Sequence, residues 1–122
     1  MGAPRLLTEC GWSDLGCGPG RRHAALGGGM FEGTMERCRQ CVRTGRYVVT
    51  LHAVDEMEAD GFNVLDLESG ILRGSILEVR RDRETHERKC RVRGVTTYGR
   101  LIEQIVRLRF GGTLVIITVY EP

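Results

Sequence analysis

"SILEVRRDRETHERKCRVRGVTTYGRLIEQIVRLRFGGTLVIITVYE", Ser75 to Glu121, decides the fold, because here apolar residues recur at every second position. Period two is the mark of a strand with one face turned inward. Four strands follow: Ser75 to Arg80, "RKCRVRGVT", "LIEQIVRLRF" and "TLVIITVYE". They are separated by a charged turn, "RDRETHE", a hairpin turn, "TYGR", and a tight Gly111-Gly112 turn. Connections this short join antiparallel neighbours, so the expectation is a four-stranded antiparallel meander.

The alternation also assigns faces. In the third of these strands Ile102, Val106, Leu108 and Phe110 alternate with Glu103, Arg107 and Arg109, and Gln104 interrupts the apolar side. In the second, Cys90 and Val92 alternate with Lys89, Arg91 and Arg93. If these two strands pair, Lys89, Arg91, Arg93, Arg107 and Arg109 share one face as a basic stripe. The last strand is apolar on both sides, which suits a central strand covered twice.

Upstream, the period lengthens. Thr34 is placed to cap a helix whose body, Arg37 to Arg43, sets Cys38, Cys41 and Val42 on one side, with Gly45 as its stop. Tyr47 to Leu51 is a short β-branched run. Thr50 then caps a helix over His52 to Ala59, and Asn63 caps another over Val64 to Arg73, ended by Gly74. Helices first and strands afterwards give an α+β domain, two to three N-terminal helices packed on the sheet.

The whole chain is 122 residues, the size of one domain. Residues 1–30 are glycine-rich and keep neither period. The expectation is a disordered or mis-assigned extension, with a functional start near Met30 or Met35 and a single domain over 31–122. No apolar run reaches the ~20 residues of a membrane span, and no basic-then-apolar leader opens the chain, so the cytoplasm is the default compartment.

Net charge is only +2, but of 18 basic residues Lys89 is the one lysine. Arginine donates to phosphate as a planar fork, so the bias is compatible with nucleic acid; an arginine-rich genome explains it equally. Five cysteines, an odd number, read as reduced thiols. Cys38 and Cys41 form a CxxC, half of a zinc site. Their spacing also fits one apolar helix face, where thiols pack as small hydrophobes, and this reading is preferred. No metal and no cofactor is expected.

His52, at a strand-to-helix junction, is a general acid or base, or a structural residue bonding a strand carbonyl; spacing alone favours the latter. Tyr120 closes the last strand, either as an aromatic lid on the core or as a hydroxyl pointing into a site; its position alone favours the core. The stripe itself is either a solvated face or a surface for an anionic partner.

Four segments together resemble a bacterial family described as a domain of unknown function. "GRYVVTLHAVDEM" resembles its Y-x-x-T/S-x-HA-x-x-R-M opening, and "DGFNVLDLESGILRG" its following helix. "RKCRVRGVT" and "GGTLVIITVYE" resemble two of its strands, so that the likeness covers about Met35 to Glu121. Glu56 stands where the pattern has arginine, and Asp60 where a basic residue is common. In layout the family is similar to the small RelE/BrnT/MqsR-like toxins of toxin–antitoxin pairs, many of which cut RNA without a metal. The resemblance implies a RelE/BrnT-like fold, RNA as substrate, a cognate antitoxin as partner, and His52, Arg91 and Tyr120 at recurring polar positions. Arg93 joins them from the basic face. The expected site is therefore His52, Arg91, Arg93 and Tyr120 for catalysis, with Lys89, Arg107 and Arg109 holding RNA. A homodimer is left open, and the alternative is a non-enzymatic protein- or RNA-binding module of the same fold.

Overall fold

A computed structural model of the chain describes residues 31–122. The extension expected over 1–30, with its Met30 start, lies outside the described residues. The elements run α1 (Glu32–Arg43), β1 (Tyr47–Val49), α2 (Leu51–Ala59), α3 (Val64–Leu72), β2 (Ser75–Arg81), β3 (Arg88–Val95), β4 (Leu101–Leu108) and β5 (Leu114–Tyr120). The class is α+β, as the change of period predicts. Among the described residues no helix is long and apolar enough to cross a membrane.

The sheet has five strands, in the order β1-β5-β4-β3-β2, and not four. β2 to β5 form the expected antiparallel meander. β1 adds to the outer side of β5 in parallel, with Tyr47, Val48 and Val49 opposite Leu114, Val115 and Ile116. Three residues carry too little pattern to reveal a pairing partner some 67 positions away, and for this reason the sequence leaves this strand unplaced. β5 consequently lies inside the sheet, but the middle position belongs to β4, whose Ile102 to Val106 are all buried.

α1 begins one turn earlier than its expected Thr34 cap. Phe31 is the N-cap residue and makes no side-chain cap bond. Core packing decides the start: Phe31, Met35, Cys38 and Val42 follow helical spacing and join the core, while Thr34 falls within the first turn. Gly45, at φ +75°, ends the helix in the left-handed region open to glycine. The other two caps fall where the sequence puts them. Thr50 accepts the Ala53 N–H, and Asn63 exchanges bonds with Asp66 in a capping box.

α2 starts where β1 stops, and it takes over the free edge of β5. The Thr50 N–H donates to the Ile116 carbonyl. About two and three turns on, Glu56 accepts the Val119 N–H at 3.1 Å and Asp60 accepts the Glu121 N–H at 3.3 Å. Glu56 thus satisfies a buried strand donor that would otherwise face a helix unpaired, and Asp60 binds the exposed N–H just past the strand end. The acidic residues at positions 56 and 60 have a structural use here.

α3 crosses the sheet at backbone contact. A Cβ built on Gly94 would lie 2.0 Å from the Gly70 carbonyl oxygen, and one on Gly74 2.2 Å from it. Gln104 reaches from the middle of β4 and donates to the Leu67 carbonyl at 3.0 Å, so the residue that interrupts the apolar pattern anchors this helix. Cys38, Cys41 and Cys90 are free thiols buried in the same core. Contact with the Cys90 thiol, and then burial, push the Cys38 thiol well above its ordinary range, so it stays protonated.

Candidate functional site: two arginine clusters

The helix-free face of the sheet carries the expected stripe. Strand register sets three rows across it: Arg93–Glu103–Tyr120, Glu78–Arg91–Ile105–Thr118, and Arg80–Lys89–Arg107–Val115. Side chains opposite one another across a sheet share a face, so Lys89, Arg91, Arg93 and Arg107 do lie together with Tyr120.

Acids lie in the same rows, however. Arg91 donates to Glu78 at 2.8 Å and reaches Glu103 at 3.4 Å. Arg93 bonds the other oxygen of Glu103 through two nitrogens, at 2.7 and 2.8 Å. The Tyr120 hydroxyl also donates to Glu103. Arg107 lies 3.0 Å from Glu87, and Lys89 lies 4.0 Å from Asp82. Glu78 and Glu103 have only 1 and 2% of their side-chain surface exposed. Two buried carboxylates therefore hold two arginines and a phenol in a closed network, which roofs over the buried Ile105 and Thr118.

Electrostatics follow the geometry. Burial lowers the tendency of Arg91 to carry charge, but Glu78 and Glu103 outweigh it and hold the guanidinium above its ordinary value. Burial, then the Glu103 carboxylate, pushes the Tyr120 phenol well above the tyrosine range. Such a hydroxyl keeps its proton and is suited to donating a hydrogen bond. Burial lowers Lys89, against the pull of Asp82.

His52 is not joined to this network by any hydrogen bond or ion pair among the described residues. It lies in the first turn of α2, and its Nε2 sits 3.5 Å from Glu56, buried and not aligned for a hydrogen bond. Arg109 also leaves the stripe. β4 ends at Leu108, and the chain turns at once, with the Arg109 N–H donating to the Thr113 carbonyl. Phe110, expected to face the core, stands outside it with 70% of its surface exposed.

Arg109 and Phe110 instead line a pocket of about 190 Å³ on the helix side of the sheet, with Arg37, Arg81, Arg88 and Leu108. Arg37 comes from α1, Arg81 from the end of β2 and Arg88 from the start of β3. Arg81 and Arg88 are direct cross-strand partners. Like charges placed opposite in a sheet repel. Arg81 donates to the His86 carbonyl. Among the described residues no carboxylate pairs with Arg37, Arg81, Arg88 or Arg109. The nearby Glu87 is buried and committed to Arg107 and to the Phe110 N–H.

A second pocket, of about 270 Å³, adjoins the first. It shares Arg37 and Leu108, and adds Gln40, Cys41, Thr44, Arg46 and Gly112. Arg46 likewise has no acidic partner among the described residues. Sequence reasoning missed Arg37, Arg46, Arg81, Arg88 and Phe110. One signal was available: Arg88 has the same parity as Cys90 and Val92, so it is a charge on the apolar face of a strand.

No curated protein and no solved structure matches the chain. One family model does, over residues 49–121, from the last residue of β1 to just beyond β5. By that match, which takes in all of α2, α3 and the antiparallel meander, the chain belongs to the family described as Domain of unknown function (DUF4258).

Proposed function

We propose that this protein binds RNA, holding its phosphates in the arginine pocket formed by Arg37, Arg81, Arg88 and Arg109. One observation carries the reading: four guanidinium groups surround one pocket with no carboxylate among the described residues to neutralise them. Such a constellation repels itself and attracts an anion. Phosphate suits it, because each guanidinium donates a charge-assisted, bidentate pair of bonds. At about 190 Å³ the pocket is smaller than the ~300–1,000 Å³ of sites that enclose whole organic ligands, and agrees with a charged group on a larger molecule.

The second reading is a metal-independent ribonuclease, the toxin of a type II toxin–antitoxin pair with a cognate antitoxin covering its site. The convergence of Arg91, Arg93 and Tyr120 on one sheet face favours it. Arginines would stabilise charge developing on a pentacoordinate phosphate, and a protonated phenol would serve as acid. Against it, the same three side chains are already bound to Glu78 and Glu103. Binding without cleavage is therefore placed first.

Incubation of the purified protein with total RNA in EDTA separates the two. Retarded but intact RNA, with binding weakened by Arg88→Ala, supports the binding module. Fragments that disappear with Tyr120→Phe or Arg93→Ala establish the ribonuclease.

A further inference from the structure

The two pockets adjoin at Arg37 and Leu108, which line both, and their lining is not uniform. Arg37 belongs to both, with Arg46 at one end and Arg81, Arg88 and Arg109 at the other. In the second pocket Arg37, Cys41 and Thr44 repeat along one side of α1. From Arg37 to the C-cap Thr44 the chain advances about 10 Å, so this side of α1 is longer than a single phosphate group.

Phe110 is the distinguishing residue. It lines the arginine-rich end, yet it is exposed. A large apolar ring on the surface has no part in holding the core, and here it stands among four cations. An aromatic face beside a basic track is the combination that stacks a base while the backbone is gripped. An unpaired base offers a free face along the whole strand; inside a duplex both faces are covered by neighbours, and only the terminal pairs are open.

Resting on the RNA-binding reading above, we infer that the groove from Arg46 through Arg37 to Arg88 holds one unpaired RNA strand, with a base stacked on Phe110. The arginines contact the backbone and Phe110 selects single-stranded over double-stranded RNA. The β4–β5 turn supplies this selectivity, since Phe110 and Gly112 both lie in it.

The test uses the full chain and two probes, a fluorescein-labelled single-stranded RNA 12-mer and its blunt duplex. The single strand should bind at least about tenfold more tightly. Phe110→Ala should weaken the single strand by about 5- to 150-fold, the range for losing one stacked base, and leave the duplex affinity unchanged. Phe110→Trp should retain binding and Phe110→Leu should not, which separates stacking from general hydrophobicity. Folding is checked by circular dichroism, and the exposure of Phe110 predicts no change. Equal binding of both probes, or a silent Phe110→Ala, would overturn the single-strand inference while leaving the phosphate-binding reading intact. No binding of either probe would overturn both.

Discussion

Replacing Tyr120 with phenylalanine removes one hydroxyl and keeps the ring. That hydroxyl donates to Glu103, which is buried and also bound by Arg93 and Arg91. A hydrogen bond to a charged group contributes about 1.5–3 kcal/mol. Glu103 keeps its two arginines in the variant, and Tyr120 is only partly buried, so the lower end applies, about 1.5 kcal/mol. For a domain of this size each kcal/mol moves the melting temperature by about 4–8 °C. The expected loss is therefore about 6–12 °C, read by circular dichroism at 222 nm or by differential scanning fluorimetry. RNA affinity should stay within about twofold of wild type, because the phenol lies on the face of the sheet opposite the arginine pocket. An unchanged melting temperature together with lost binding or lost cleavage would refute this reasoning. It would place the phenol in the chemistry and free it from the network.

Two further perturbations probe the scaffold. Gly94→Ala forces a methyl to within 2.0 Å of the Gly70 carbonyl, backbone against backbone, so α3 must move off β3; a loss of about 3 kcal/mol or more should appear as a lower urea midpoint. Alkaline pH probes Tyr47, whose phenol burial and then Glu68 push up to about 12. An unfolded tyrosine ionises near pH 10, so between about pH 10 and 12 the folded chain keeps a proton that the unfolded chain releases. The contribution is complete below about pH 10 and is lost as pH rises through that window. Urea midpoints should fall across this range, with a shallower fall in Tyr47→Phe; parallel curves for the two proteins would exclude the assignment.

Much of the fold is legible in local pattern. Thr50, Asn63 and Gly45 mark helix boundaries by chemistry that depends on neighbours within four residues. The meander follows from period two and short turns. The parts that were not legible depend on distant contacts. β1 pairs with a strand far along the chain, and Phe31 replaces Thr34 at the start of α1 because the core recruits it. The site divides in the same way. Alternation places Lys89, Arg91, Arg93 and Arg107 on one face, but it does not say that Glu78, Glu87 and Glu103 share that face as their partners. Arg37 comes from α1, Arg88 from β3 and Arg46 from the turn between α1 and β1, and only the packing of α1 over the ends of β2, β3 and β4 brings them together. In the sequence Glu56 and Asp60 read as a loss of basic surface, whereas in the fold both residues close the edge of β5.

The central claim is that the arginines with no carboxylate partner among the described residues bind RNA, and the paired ones hold the sheet. The salt dependence of affinity for a short single-stranded RNA tests it most directly. Counting one phosphate contact for each of the four arginines of the smaller pocket predicts a slope of log K against log salt near −3, or roughly a 50-fold weakening between about 50 and 200 mM. Arg88→Ala and Arg37→Ala should each weaken binding and make the slope shallower by about 0.7, whereas Arg93→Ala should leave the slope unchanged and lower the melting temperature. The reverse pattern, a shallower slope for Arg93→Ala and an unaltered one for Arg88→Ala, would contradict the account.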